Sequence, residues 1–438
     1  MSRHAAIDLG ASSGRVVVAD VTAESLVLQE IHRFPNAPVQ HPDGLHWDAT
    51  RLYREALHGL QLAGHVDSAA IDSWAIDYGL LTADGALINE PWCYRDNRTD
   101  GVALPLTRTE LFARNGLQHL SFTTIYQLAA DSSARVAATM LLLPDLLTYW
   151  LTGTVGCEVT NASTTGLLDV TTRRWSPELL AAAAISERQL GPLVEPGRLR
   201  GRIRGLDTEV VAVGSHDTAS AFVGAPLTSG NSACISLGTW GLVGLELPAP
   251  VLTEAAFTAN FTNELGVDGR VRFLRNVMGL WVLQECLREW GRDDLPTLLD
   301  EAALLPTGPV VDLSSLLAPG DMPARVQALA GAPLEPVALV RCVVDSLVEA
   351  LARTVEEAGA LADKEVDVVH VVGGGAQNAL LCRLLATAVG RPVLAGPVEA
   401  TALGNVLVQA RAIGTLQGPL EELRALVRRT ARVVRYDP

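Results

Sequence analysis

Lysine is almost missing from this chain: Lys364, within Ala362-Asp-Lys-Glu365, is the only one in 438 residues. A Walker A loop needs a lysine after its glycines, and a protein kinase needs one on a strand beneath a glycine-rich loop. Both devices for gripping a triphosphate are therefore excluded, and a nucleotide-handling site would have to use something else. Cysteine is sparse and unpaired in pattern. The six, at positions 93, 157, 234, 286, 342 and 382, form no C-x-x-C motif, so buried reduced thiols are expected rather than zinc ligands or disulfides. Long apolar runs are missing as well. Met140 to Leu143 stops at Pro144 and Asp145, far short of the ~20 residues that cross a bilayer, so no transmembrane helix is expected. The start, Met1-Ser-Arg-His-Ala-Ala, enters a strand pattern without a signal-peptide apolar region, which predicts a cytoplasmic protein. Positive charge is in deficit. With 34 basic against 49 acidic residues the net charge is −15, which disfavours nucleic acid and anionic membrane as partners.

What the sequence does have is core-forming material, at 48% hydrophobic residues, and a length suited to two domains of roughly 200 residues sharing a cleft. Residues 5 to 9, 15 to 20 and 26 to 33 read as a three-stranded meander punctuated by Gly10 and Gly14. A helix is expected over 50–62, strands over 69–74 and 79–82, mainly helices between 104 and 184, and a strand over 209–212. The opening pattern then recurs. Ile7-Asp-Leu-Gly-Ala-Ser-Ser-Gly and Ile235-Ser-Leu-Gly-Thr-Trp-Gly each give a strand, a Leu-Gly turn and a return strand, half a chain apart. This spacing predicts duplicated lobes, divided as residues 1–225 and 226–438. In the second, a long amphipathic helix over 340–362 leads to a buried strand ending at Gly373-Gly-Gly, and α/β alternation continues to the end.

Six sets of residues carry candidate chemistry. In Asp8-Leu-Gly-Ala-Ser-Ser-Gly-Arg15 a carboxylate ends a strand, and a turn of small residues, hydroxyls and a cation follows. Its amides could form an anion-binding concavity, with Ser12, Ser13 and Arg15 as donors and Asp8 facing a metal, although the same segment also reads as an ordinary hairpin. Gly238-Thr239 supplies a matching turn. Val371-Val-Gly-Gly-Gly-Ala-Gln-Asn378 lets backbone approach a flat ligand or phosphate, and it can be read as an adenosine site, as helix packing, or as a dinucleotide fingerprint with Glu399 as the ribose acid. The last reading keeps an NAD-dependent dehydrogenase as a competitor. Ser215-His216-Asp217-Thr218 offers Asp217 as a general base for a hydroxyl proton, or merely as the cap of a helix beginning at Thr218. Trp74, Asp77 and Tyr94 to Arg98 could line a sugar pocket, and Asn276, Trp281 and Gln284 fall on an expected helix with Asn276 and Gln284 on one face.

Taken in order, Asp8 to Arg15, Trp92 to Asp96, Thr160-Asn-Ala-Ser-Thr-Thr, Ser215 to Ser220, Leu237-Gly-Thr-Trp, Asn276-Val-Met-Gly-Leu-Trp, Val372 to Asn378 and Gly396-Pro-Val-Glu-Ala resemble the FGGY carbohydrate kinases, and among them the rhamnulokinase branch. The resemblance covers essentially the whole chain. It implies an α/β fold of two duplicated actin-like (ribonuclease H-like) lobes with a cleft between them, ATP as co-substrate, Mg²⁺, and a small ketose, L-rhamnulose, phosphorylated at its 1-hydroxyl in a monomer or homodimer. It also implies Asp217 as catalytic base; Ala75, Asp77, His216, Thr218 and Asn276 at the sugar; Ala11, Ser12, Ser13, Gly14, Arg15, Thr239, Gln284 and Gly374 at the nucleotide; and Asp8 at the metal. One position departs. The family's Trp-Gly-Val-Asp-Phe is Trp74-Ala75-Ile-Asp77-Tyr78 here, and the extra methyl leaves another deoxyketose or ketopentose as an alternative substrate. An actin-like ATP-binding protein without sugar kinase activity is the alternative outside the class.

Overall fold

A computed structural model describes residues 1–438 and divides them into two compact units. The first unit holds residues 1–226, 247–272 and 400–430, and the second holds 227–246, 273–399 and 431–438. The first crossing falls within a residue of the expected 225/226 boundary, but a single cut does not describe the chain, because two later segments rejoin the first unit.

In the first unit the sheet runs β5-β6-β4-β1-β2-β3, with β1 (Ser2–Leu9), β2 (Ser13–Val21), β3 (Leu26–Pro35), β4 (Ser68–Ser73), β5 (Leu199–Arg202) and β6 (Glu209–Val211). Ala5, Ile7 and Leu9 are fully buried, as are Ala6 and Asp8 or nearly so, which is why β1 reads as a continuous apolar run rather than an alternating one. It pairs antiparallel with β2 and parallel with β4. Helix Asp217–Gly224 packs on helix Ala400–Ala412 at backbone distance: a Cβ added at Gly404 would lie 1.8 Å from the Ser220 carbonyl oxygen, and one at Gly224 would lie 2.0 Å from that of Ala400. Only glycines fit this crossing.

The second unit repeats the motif. Its strands run β9-β8-β7-β10-β11-β12, with β7 (Ser232–Leu237), β8 (Trp240–Leu247), β9 (Val271–Met278), β10 (Val368–Val372), β11 (Val393–Ala395) and β12 (Val434–Tyr436). Here β7 pairs antiparallel with β8 and parallel with β10, as β1 does with β2 and β4. The two turns differ by one residue, since Leu9 pairs with Gly14 across residues 10–13 whereas Leu237 pairs with Gly241 across residues 238–240. The long amphipathic segment is helix Pro336–Leu361.

The region 104–184 is less helical than expected. Helices Arg108–Asn115, Thr124–Ala130 and Leu143–Thr152 are present, but Thr139–Leu142 is a strand pairing antiparallel with Tyr78–Leu81. Four apolar residues cannot distinguish strand from helix by periodicity, and Pro144 marks the first turn of the helix that follows. All six cysteines are buried and unbridged. No helix is long and apolar enough to cross a membrane.

Candidate active site

Three carboxylates gather at the ends of β1 and β4 and the start of helix Asp217–Gly224. Asp8 lies opposite Arg15 on β2 and beside Asp72 on β4. Arg15 donates from Nε and Nη2 to Oδ2 of Asp8, at 2.9 and 2.7 Å. Asp72 is fully buried; Asn405 donates to its Oδ2, whereas Oδ1 has no partner. Burial, with the charge of Asp8 next in weight, pushes the Asp72 carboxyl well above its usual range. The strand end then fixes the third acid. Ser73 donates its backbone N–H to the carbonyl of Ser215 at 2.9 Å, which places His216 and Asp217 directly beyond.

The helix begins at Asp217 itself, with His216 in the cap position and no side-chain cap bond. That removes the reading in which Asp217 caps a helix starting at Thr218. Its carboxylate meets the Thr218 hydroxyl, at 3.0 Å, and His216 Nε2, at 3.5 Å, and its side chain remains 32% exposed. Burial raises this carboxyl above its ordinary value, His216 opposes the rise, and Asp8 adds to it. His216 is held from behind. Its Nδ1 lies 3.2 Å from both terminal nitrogens of Arg272 and 3.2 Å from Glu264, and those two residues form a buried ion pair at 3.0 Å. Burial would raise Glu264, but Arg272 and then His216 outweigh it and hold its carboxyl below the usual range.

The turn at residues 10–12 is closed by Gly10 N–H donating to the Ser13 carbonyl at 2.9 Å, and it leaves Ala11 and Ser12 outside the strand ladder, with Ser12 exposed. Gly14 has a different reason for being glycine. A Cβ there would lie 2.3 Å from the Phe34 ring, so its smallness serves packing.

Asp77 does not present an oxygen to a ligand, contrary to the expected sugar contact. It is 1% exposed, its Oδ2 accepts from Trp47 Nε1 (2.6 Å), Trp74 Nε1 (2.9 Å) and Tyr94 N (3.2 Å), and its Oδ1 accepts from Gln127 Nε2 (2.8 Å). Burial still lifts the carboxyl to about 6 against these four donors. The residue therefore orients the two tryptophans. Arg98 completes the arrangement by donating to the Gln127 side-chain oxygen at 2.8 Å, which aims the amide nitrogen at Asp77, so this part of the charged run is structural. Between Ala75 and Asp77 the backbone makes a γ-turn. Asp77 N–H donates to the Ala75 carbonyl at 2.9 Å and Ile76 sits at φ 70°, a conformation that a β-branched residue rarely adopts. Thr124 holds it there through the Ile76 carbonyl. Strain of this kind persists only where the surroundings over-determine it, and it clusters at functional sites. Ala75, the position that departs from the family glycine, is part-exposed beside this turn.

In the second unit Thr239 and Gly374, two of the expected nucleotide residues, lie on turns next to Leu237. Gly238 donates to the Trp240 carbonyl at 2.9 Å, and Leu280 N–H donates to the Gly238 carbonyl at 2.8 Å, so the Gly238-Thr239 turn is tied to the start of helix Trp281–Trp290. Gly279 makes this possible, since a Cβ there would lie 2.5 Å from the Trp240 backbone. Gln284 is exposed one turn into that helix. On the other side, a Cβ at Gly373 would lie 3.0 Å from the Leu237 carbonyl, and one at Gly375 would lie 2.4 Å from the Leu237 side chain, whereas one at Gly374 would meet nothing within 4 Å. Two of the three glycines serve packing, and the middle one is open. Asn378 caps helix Ala379–Val389 by accepting from Leu381 N–H. Asn276 departs from expectation. It lies on β9 and the helix starts only at Trp281, so it shares no helix face with Gln284.

Residues 4–224 match the N-terminal domain of the FGGY family of carbohydrate kinases, and residues 233–413 match its C-terminal domain. The chain belongs to the FGGY family of carbohydrate kinases. It is 41% identical to a rhamnulokinase of Pectobacterium carotovorum subsp. carotovorum, over 99% of this chain and 92% of that protein. A rhamnulokinase of Bacteroides thetaiotaomicron is 37% identical over 99% and 95%. Among solved structures, a ligand-bound xylulose kinase from Lactobacillus acidophilus superposes with a TM-score of 0.79 at 16% identity, covering all of this chain and 94% of its own. Plasmodium falciparum glycerol kinase with ADP also reaches 0.79 at 16% identity, over 99% and 94%. These likenesses establish the actin-like fold. As an FGGY member the chain is a carbohydrate kinase with ATP as co-substrate and a small sugar as acceptor, which removes the dehydrogenase reading of the triple glycine.

Sequence reasoning missed several residues that build this site. Asp72 had a visible signal, a carboxylate inside the apolar run Ala69-Ala-Ile-Asp-Ser, where an acid costs free energy unless it has work or a partner. Glu158, Glu264 and Arg272 gave none, since their partners are remote in sequence.

Proposed function

We propose that this chain transfers the γ-phosphoryl group of ATP to the 1-hydroxyl of L-rhamnulose, with Asp217 as the general base. The observation that carries the role of Asp217 is its access. Asp72 and Asp77 are 1% exposed or less and the Asp8 side chain is 11% exposed and paired with Arg15, whereas Asp217 keeps 32% of its side chain open. A base must reach the proton it removes. His216, braced by Arg272 and Glu264, orients that carboxylate and lies where a sugar hydroxyl bound to Asp217 would meet it. The names of the relatives at 37–41% identity support rhamnulose as the sugar.

A divalent cation fits the first unit's acids. The buried, unpartnered Oδ1 of Asp72 beside Asp8 is a deficit of positive charge that Arg15 alone does not fill, so Asp8 and Asp72 would hold Mg²⁺, directly or through its water. Bound there, the ion would neutralise phosphate charge. The turn at Ala11 to Arg15 would donate to phosphate oxygens, and Thr239, Gln284 and Gly374 would contact the nucleotide in the second unit. Dependence on ATP fits a cytoplasmic enzyme.

Ala75 is where substrate preference would be retuned, because one methyl is worth about 1–3 kcal/mol of discrimination. Initial rates of ADP release with ATP, Mg²⁺ and a panel of purified ketoses test the reading. L-Rhamnulose is expected to give the highest kcat/KM. A higher value for another deoxyketose or ketopentose would reassign the substrate, and ADP release independent of sugar would remove the sugar kinase reading.

A further inference from the structure

Glu158 is 1% exposed, has no cationic partner, and is taken up by none of the roles above. Its Oε2 accepts from Ser215 N–H (3.0 Å), the Ser215 hydroxyl (2.8 Å), the Thr160 hydroxyl (2.6 Å) and Asn161 N–H (3.2 Å), and its Oε1 accepts from Thr160 N–H (2.9 Å). Thr160, so fixed, accepts the N–H of His216 at 3.4 Å. The two amides that precede Asp217 thus end on this one carboxylate, one directly and one through Thr160. Nothing nearer holds them, because His216 caps the helix without a side-chain bond. A buried carboxylate without a cation is costly, and capping its own short helix, Val159–Ala162, accounts for only the Thr160 and Asn161 amides among its bonds. What this carboxylate holds is the loop that presents the base.

We propose that Glu158 is a positioning residue for phosphoryl transfer: its carboxylate clamps the Ser215–His216 segment so that Asp217 faces the acceptor hydroxyl, while Glu158 itself never touches substrate. The inference rests on the assignment of Asp217 as base. Three of the five groups, the amides of Ser215, Thr160 and Asn161, can only donate, so the ionised carboxylate satisfies all five at once, whereas a proton on the carboxyl removes an acceptor site and forces a hydroxyl to turn and accept. Burial first, and the charge of Asp145 last, lift the carboxyl to about 7 against the hydrogen bonds from Thr160 and Ser215. The titratable and charged groups around it are Asp145, which accepts the Glu158 N–H at 3.1 Å, Arg200, ion-paired with Asp145 at 2.8 Å, the neighbouring Cys157 thiol, and His216 on the clamped loop. The clamp is complete above about pH 7 and weakens as pH falls through that value.

Glu158→Gln removes the charge and turns one acceptor into a donor. It is expected to lower kcat by about 10- to 100-fold, the range for a misplaced reacting group, with the KM for sugar and nucleotide changed much less. The acid limb of the kcat–pH profile near 7 should move with it. Glu158→Asp should recover part of kcat, and Ser215→Ala, which leaves the Ser215 amide in place, should cost only a few-fold, consistent with loss of one hydrogen bond. Asp217→Asn is measured in parallel. If Asp217→Asn is inactive while Glu158→Gln and Ser215→Ala keep wild-type kcat and pH profile, the clamp is refuted and the base assignment stands. If Asp217→Asn keeps its activity, both fall. If Glu158→Asp and Glu158→Gln lose activity equally and only in step with a lowered Tm, the residue is merely structural and the proposal is wrong.

Discussion

The two hairpins that open the two units share a pairing topology but not a chemistry. In the first, Asp8 sits one residue before the leucine of the turn, with Arg15 opposite and Asp72 beside it; in the second, the equivalent place is taken by Ser236, beside Val372. The backbone frame is the same in both. One copy has put charge at its strand ends and supports it with long hydrogen-bond networks, while the other has kept its strand ends neutral and relies on glycines that let backbone approach backbone. A duplicated frame thus separates two tasks, proton and metal chemistry in side chains and ligand approach in main chain.

The largest effect expected from that division is at Asp217. Asp217→Asn preserves shape but cannot accept a hydroxyl proton, so kcat should fall by roughly 10²- to 10⁴-fold while nucleotide affinity by calorimetry stays near wild type. Near-normal kcat would show that the first unit's charges are structural. The second unit should respond in the opposite sense, and its glycines separate the effects. Gly375→Ala pushes a methyl into Leu237 and should cost about 1–3 kcal/mol in denaturant unfolding. Gly374→Ala enters open space and should change stability by less than about 0.5 kcal/mol while weakening nucleotide binding. Equal stability losses at both positions would mean that the turn has no open face. An effect smaller than that at Gly375 concerns Asp77, whose carboxyl is raised in the folded chain to about 6 from 3.8. A raised acid binds its proton more tightly when folded, so its stabilising contribution is complete below about pH 4 and is lost as pH rises through 6. Between pH 5 and 7 the wild type should lose about 1 kcal/mol of unfolding free energy relative to Asp77→Asn, which does not titrate there. A difference that does not vary with pH would show that Asp77 is ionised throughout.

Much of the frame was legible because it is local. Apolar strands, Leu-Gly turns and their repetition half a chain apart need only neighbouring residues to be recognised, and the paired registers of β1–β2 and β7–β8 follow from them. Asp217 was legible as a candidate for the same reason. The parts that were hidden are those in which distant residues decide what a side chain does. Asp77 looked like a sugar ligand until Trp47, Trp74, Tyr94 and Gln127 were seen to use both its oxygens. Asn276 looked helical because Trp281 and Gln284 lie at suggestive spacing, yet β9 runs to Met278 and Gly279 breaks the pattern beneath the Gly238-Thr239 turn. Glycine spacing hid a similar distinction, since Gly14, Gly373 and Gly375 are fixed by what they pack against.

The return of residues 400–430 to the first unit bears on the order in which the protein can be made. Asn405 supplies the hydrogen bond to Asp72, Gln409 donates to the Ala5 carbonyl, and Gly404 closes against the helix that begins with Asp217. A nascent chain that has just left the ribosome through residue 226 lacks all three, so β1 and β4 would wait with buried polar groups unmet and the base-bearing helix uncovered. The first unit to be translated is therefore among the last to be finished, and a fragment cut at the apparent domain boundary should be a ward of chaperones rather than a stable half-enzyme.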